Sequence, residues 1–245
     1  MSASPRPSFS VLYEDDHFIA VDKPAGMIVV EDRWDKGKQT LRGAVQAALG
    51  TGKVWTVHRI DKDTTGVVLF AKDAEAHRYA NGLFMERRVT KEYEAVVRGV
   101  IACDSGVIDE PIKEDLFQPG RVIIHRTGKP SVTSFTVLER FRSFTYICAC
   151  PQSGRMHQIR AHMTSYGHPL AVDPLYGGGS MIRLSELKKD YKRKKGGPEK
   201  PLIERLTLHA ARLSFTGMDG REIAISSELP HDMALLLKYL RKGSQ

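Results

Sequence analysis

Apolar positions along this chain switch repeatedly between alternation and helical spacing. FSVLYEDDHFIAVDKPAGM reads as two short strands around a polar turn at Glu14–His17, the second broken by Pro24-Ala25-Gly26. Leu41–Leu49 predicts a short helix ending near Gly50. VWTV gives a strand, the polar run Asp61–Gly66 a loop, and Val67–Ala71 an apolar strand. Asp73 is placed to cap the next helix, whose Ala76, Ala80, Leu83, Phe84 and Arg87 form a mainly apolar stripe. KEYEAVVRG reads as a strand, and SVTSFTVLERF and FTYICAC as a strand pair joined across Arg142–Ser143. His157–Tyr166 predicts a helix with Ile159, Met163 and Tyr166 on one side and His157 and Arg160 on a neighbouring side. A strand over Leu206–Ser214 and a last helix follow. That helix has Pro230 near its first turn, a stripe of Met233, Leu236, Leu237 and Leu240, and Gly243 as its stop. Hairpin strands mixed with helices, with no repeat and no interdomain linker, predict one α+β domain over 9–245.

Composition narrows this picture modestly. The 245 residues, 41% of them hydrophobic, are enough for a buried core. The net charge of +8 and pI near 9.4 favour a polyanionic partner, although many basic proteins bind no nucleic acid. Three cysteines without a C-x-x-C indicate neither a disulfide framework nor a cysteine zinc site. Cys148 and Cys150 share a strand face and read as small core residues. MSASPRPSF lacks the apolar run of a signal peptide, and no segment has the roughly 20 apolar residues of a membrane span, so a reducing cytoplasm is expected. Residues 1–8 read as a short disordered lead. The basic run Lys188–Lys200, inside an insertion spanning about 186–201, reads as a solvated mobile loop, with an RNA-contacting arm as the alternative.

Two polar clusters could carry chemistry. In His58-Arg59-Ile60-Asp61-Lys62-Asp63-Thr64-Thr65-Gly66, charged side chains stand where an apolar strand leaves the core, and Arg59 and Asp61 point the same way if the chain is extended. By composition alone it reads first as a polar strand-to-strand loop in which Asp63 and the threonines make local turn bonds. In Ser153-Gly154-Arg155-Met156-His157-Gln158-Ile159-Arg160-Ala161-His162, a helix start beside Arg155, His157 and Arg160 suits an anion, and the bland alternative is a basic face in solvent. His157 and His162 are five apart, the wrong spacing for two metal ligands on one helix face, and no metal site is expected. Tyr93, in an alternating strand, reads by itself as core.

Taken in order, these segments resemble the RluA-type RNA pseudouridine synthases. HRIDKDTTG stands for that family's H-R-L-D-x-x-T-S-G, followed by VVLFAK, then Lys91-Glu92-Tyr93 for K-x-Y. SGRMHQIRAH stands for T-G-R-x-H-Q-I-R-x-H, followed by Gly167-His168-Pro169 and by Asp173-Pro174-Leu175-Tyr176-Gly177 for D-x-x-Y-G. The opening YEDDHFIAVDKPAGM and the late Leu208-His209-Ala210 fit as well, so the resemblance covers about residues 10–240. Ile60, Thr65 and Ser153 depart from the pattern without touching a reactive group. Many relatives carry an N-terminal S4-type RNA-binding domain, which is not expected here.

The resemblance implies an α+β catalytic domain with a mixed, mostly antiparallel sheet, flanking helices and a central basic cleft. It implies RNA, ribosomal or transfer, as partner, and a monomer is the default expectation. It implies Asp61 as catalytic nucleophile, Arg160 as its ion-pair partner, Tyr93 as the ring stacked on the target base, and Arg59 as the side chain filling the place of the extruded uridine. His58, Thr64, Gly66, Arg155, His157 and Gln158 join the expected substrate-binding set. The implied reaction breaks N1–C1′ of a uridine and rejoins the ring through C5, with no redox change or net hydrolysis, so no cofactor is expected. A carboxylate can do this by adding at C1′ or C6 or by removing a proton from C2′. Two other readings compete: a non-catalytic RNA-binding protein on the same scaffold, and a metal-dependent nuclease using Asp61, Asp63, His157 and His162.

Overall fold

The computed structural model describes residues 9–31, 37, 39–50, 52–188, 191 and 199–243. The expected N-terminal lead and most of the basic run 188–200 lie outside the described residues. The class is α+β, with a mostly antiparallel sheet. The chain divides into two compact units, each assembled from separated stretches: Met1–Lys91 with Ala210–Glu228, and Glu92–His209 with Leu229–Gln245.

The first unit opens with the hairpin β1 (Ser10–Glu14) and β2 (Phe18–Lys23). Its turn forms where expected because Asp15 Oδ1 accepts from the amides of His17 and Phe18 at 2.8 and 2.6 Å. Helix α1 (Leu41–Leu49) is capped by Thr40, which accepts from Gly43 N, and is closed by Gly50 in the left-handed region. Strand β3 (Trp55–Thr56) is short. Strand β4 (Thr65–Ala71) is buried at every position and begins two residues earlier than the apolar run suggested. Helix α2 (Ala74–Met85) starts on Asp73, whose carboxylate accepts from Ala76 N at 2.8 Å. Ala76, Ala80 and Leu83 are its buried positions. Arg87 lies beyond the helix with φ 58, so it does not extend the stripe.

Strand β5 (Thr90–Arg98) carries the chain into the second unit. There follow β6 (Ser105–Asp109), β7 (Ile112–Glu114), β8 (Val122–Ile124), β9 (Val132–Arg140) and β10 (Phe144–Pro151). Helix α3 (Gln158–Ser165), a 3-10 turn at Pro174–Tyr176 and the one-turn helix α4 (Leu184–Leu187) complete that stretch. Strand β11 (Leu208–Thr216) leads back to the first unit and its β12 (Glu222–Ser226), and α5 (His231–Gly243) returns to the second. Arg205 grips Asp232 in the first turn of α5 through a two-pronged pair, Nε–Oδ2 at 2.6 Å and Nη2–Oδ1 at 2.5 Å.

In the first unit the strand order is β1-β2-β4-β11, with β12 on β11 and β3 on β4. Phe18, Ala20, Val67, Leu69 and Ala71 pack with Ala76, Ala80 and Leu83 of α2 and with Leu213 and Phe215 of β11. In the second, β5, β10, β9 and β6 lie side by side, and β7–β8 is a separate hairpin. One face (Ala95, Val97, Ile147, Ala149) packs on Ile159 and Met163 of α3, and the other (Val96, Phe144) on Met233, Leu236, Leu237 and Leu240 of α5. Cys148 and Cys150 share a face as expected, with Sγ atoms 4.0 Å apart, but they are half-buried rather than core residues. Ala149 between them points into the core, which turns both thiols to the opposite side. Among the described residues, no helix is long and apolar enough to cross a membrane.

Candidate active site

The polar segment between β3 and β4 is a fixed loop. Thr64 N donates to Asp61 O at 3.2 Å, closing a turn with Lys62 and Asp63 at its corners. Below it lies Lys23, fully buried at the end of β2. Its ammonium donates to Lys62 O at 2.7 Å and to Pro24 O and Met27 O, each at 2.8 Å. A buried cation is tolerated only where its donors are satisfied, and here the satisfaction ties the loop after Asp61 to the loop after β2. Gly66 follows with φ 110, and a Cβ there would stand 2.2 Å from Ala210 O. The glycine therefore lets two backbones approach, which is a packing reason for its place beside the charged cluster.

His58 braces the same loop from the other end. Its Nε2 accepts from Leu69 N at 3.0 Å, and its ring stacks on Phe84 with centroids 5.3 Å apart. Burial, with a smaller contribution from nearby Lys91, pushes its pKa from 6.5 down to about 3. It is a neutral acceptor supporting β4. Lys91 is itself buried, and desolvation lowers its pKa to about 8. Arg59 is exposed, Asp61 is half-buried, and Thr64 is buried with no hydrogen-bond partner for its hydroxyl among the described residues.

The second cluster is organised around Arg160. Helix α3 begins at Gln158, because His157 takes a left-handed backbone (φ 52) and serves as its N-cap. The guanidinium of Arg160 is buried and forked onto Asp173, Nε–Oδ2 at 2.7 Å and Nη2–Oδ1 at 2.9 Å. The ring of Tyr176 lies under it, 4.9 Å from centroid to guanidinium carbon. Tyr176 Oη accepts from Val122 N at 2.8 Å and lies 3.1 Å from His157 Nδ1. Asp173-Pro174-Leu175-Tyr176-Gly177 is thus the cradle of Arg160: Asp173 fixes its plane and Tyr176 its height.

Gln158 was expected to meet substrate, yet it is buried and its amide is spent on the protein. Its Oε1 accepts from Ser153 Oγ (2.6 Å) and Arg155 N (3.3 Å), and its Nε2 donates to Val132 O (2.9 Å) and Thr133 Oγ1 (3.0 Å). Thr133 passes the bond to His162 Nδ1 (2.8 Å), and His162 Nε2 donates to Glu110 O (3.0 Å). Both nitrogens of His162 are engaged, and burial lowers its pKa, so this imidazole is a neutral strut and does not suit the nuclease reading. Among the described residues, no group of three or more His, Cys, Asp and Glu side chains could hold a metal ion.

The structure therefore sorts the expected residues into two sets. His58, Arg59, Asp61 and Thr64 share one pinned loop of the first unit, and Gly66 lies at the start of β4 that follows it. Arg155, His157, Gln158 and Arg160 share the α3 start in the second, where Arg155 is exposed. Tyr93 is on β5 opposite Ala149, half-buried against the cluster of Ala95, Val97 and Leu208. Lys23, Asp173 and Tyr176 had been assigned no part. The signals were in view, a charged residue inside the apolar run FIAVDK and the D-x-x-Y-G segment, but their partners lie 39, 13 and 16 positions away in sequence.

Comparison with known proteins places the chain in a family. A family model described as RNA pseudouridylate synthase matches residues 17–165. The chain is 36% identical over 240 residues to the uncharacterized RNA pseudouridine synthase YlyB of Bacillus subtilis (strain 168), covering 95% of this chain and 73% of that protein. It is 35% identical over 245 residues to the ribosomal large subunit pseudouridine synthase D of Pseudomonas aeruginosa, covering 96% and 72%. Two solved human structures, RNA pseudouridylate synthase domain containing 4 and domain containing 1, each superpose with a TM-score of 0.71 at 24% identity. They cover 95% and 98% of this chain, and 93% and 98% of their own.

Proposed function

This chain belongs to the RNA pseudouridylate synthase family, and we propose that it isomerises uridines of large-subunit ribosomal RNA with Asp61 as the reacting carboxylate. It is an RNA pseudouridine synthase, an isomerase. The choice of RNA follows the relative from Pseudomonas aeruginosa, whose name gives the large ribosomal subunit, and transfer RNA is the alternative substrate.

In this reading the target uridine leaves its stack, at a cost of a few kcal/mol. Stacking on Tyr93 returns on the order of 1–3 kcal/mol, and Arg59 fills the vacated place. Asp61 adds to C1′ or C6, or removes the C2′ proton. The N1–C1′ bond breaks, the uracil turns, and C5 bonds to C1′ as the bond to Asp61 breaks or the proton taken from C2′ is returned, with the C5 proton lost and N1 protonated. A flat ring suits a base that must turn, because it holds without directional bonds. Arg160 is the cation that favours the ionised carboxylate as RNA excludes water. The observation that carries the reading is the Arg160 cradle. A buried guanidinium clamped by Asp173 and floored by Tyr176 is a fixed positive charge of the kind this chemistry needs.

Asp61→Asn tests it. The amide is neither base nor useful nucleophile, so the variant should bind RNA and form no pseudouridine. Normal turnover would remove Asp61 from the mechanism.

A further inference from the structure

The hairpin β7–β8 holds two large apolar side chains away from its own unit. Phe117 is 97% exposed and Leu116 80%. An exposed Phe forgoes roughly 1.5–3 kcal/mol available from burial. The tip is nonetheless well fastened. Asp115 Oδ1 accepts from Phe117 N (2.9 Å) and Gln118 N (3.3 Å), Asp115 N donates to Arg121 O (3.0 Å), and Arg121 Nη1 donates to Gln118 Oε1 (3.1 Å). These bonds fix the turn with Leu116 and Phe117 facing outward.

The base of the hairpin is seated on the cradle already described. Ile112 and Val122 pack with Ala161 of α3 and with Tyr176. The Arg121 guanidinium lies 5.5 Å from the Tyr176 ring centre, whose ring also floors Arg160. Lys113, Arg121, Arg126 and Lys129 stand on the hairpin and its return segment against Glu114 and Asp115 only, and Arg126 and Lys129 are exposed. A projecting aromatic with an excess of cations behind it fits a nucleobase with its phosphates, since every base offers a π-face and each phosphate contact releases counterions.

We infer that the β7–β8 hairpin is an RNA-reading arm: Phe117, with Leu116 beside it, stacks on an unpaired base other than the reacting uridine, while Arg126 and Lys129 hold the adjoining phosphates. The arm rests on RNA being the substrate and does not depend on which residue is the nucleophile. Its anchor on Tyr176 joins recognition of that base to the element that sets Arg160.

The test uses purified full-length protein and total RNA from cells that lack the gene, with pseudouridine formation followed as a function of RNA concentration. Phe117→Ala should raise KM about 5- to 30-fold, more than it lowers kcat, and Phe117→Trp should restore most of the loss. Met85→Ala, which removes another apolar side chain that is 85% exposed, serves as control and should behave as wild type. A photo-crosslinking aromatic at 117 should attach to an unpaired nucleotide of the modified RNA. An unchanged KM for Phe117→Ala, or a crosslink in cell extract that goes to a protein instead of RNA, overturns the inference. An inactive Asp61→Asn with an unchanged Phe117→Ala would sink the arm alone. An active Asp61→Asn with the KM shift present would sink the nucleophile alone.

Discussion

Asp173 has no reacting atom to touch, yet it decides where Arg160 points. Asp173→Asn keeps the shape and removes the carboxylate charge forked onto the buried guanidinium. Breaking a buried pair in this way costs on the order of 3–5 kcal/mol, so the variant should melt well below wild type and lose most of its kcat. Unchanged melting and unchanged kcat would show that the fork onto Asp173 is dispensable. His58 makes a second prediction, about pH. Its folded pKa of about 3 lies below the ordinary 6.5, so below pH 6.5 the unfolded chain takes up a proton that the folded one refuses. Its contribution to stability is present above 6.5 and is lost as pH falls toward 3. From pH 7 to pH 5 the loss from this residue is about 2 kcal/mol. His58→Gln can still accept from Leu69 N and should flatten that part of the denaturation profile; an equally steep profile would mean that another group controls it. At this scale the sequence showed chemistry better than support. Asp61 and Arg160 stand in recognisable motifs, whereas the parts of Lys23, Asp173 and Thr133 depend on hydrogen bonds to residues far along the chain.

Elements with strong periodicity were legible. Helix α2 carries its cap in Asp73, α5 its stripe, and the β9–β10 pair its alternation, and all three form where the pattern put them. The stretch between β5 and β9 was not read at all. Strands β7 and β8 have three residues each, too few for alternation to register, and the hairpin is held by Asp115, Gln118 and Tyr176 as much as by its ladder. Helix α3 starts one residue late because His157 spends its backbone on a left-handed cap, which few non-glycine residues adopt. The early start of β4 takes in Gly66, which reads as a loop residue and sits where a Cβ would meet the Ala210 backbone of β11. Gly66→Ala should destabilise severely, by more than about 2 kcal/mol, since a Cβ would meet Ala210 backbone and φ 110 strains any L side chain. Chemical denaturation measures this, and wild-type stability would contradict the close-approach argument.

For the whole molecule, the α+β class was legible in hairpin strands mixed with helices, and the mostly antiparallel sheet followed from the family resemblance. The division into two units was not, because the first joins stretches 118 residues apart and the second stretches 19 apart, and no composition shift marks Lys91 or Ala210 as a boundary. The charge of +8 pointed to a polyanion without naming one, and the ordered motifs, with the family match over residues 17–165, identified RNA and the reaction. The central claim is that this protein makes pseudouridine through Asp61. Its most direct test is pseudouridine mapping of total RNA from cells without the gene, complemented with wild type or with Asp61→Asn at equal protein level. One or a few ribosomal sites should disappear with the gene and return only with wild type. Return of those sites with Asp61→Asn would contradict the claim.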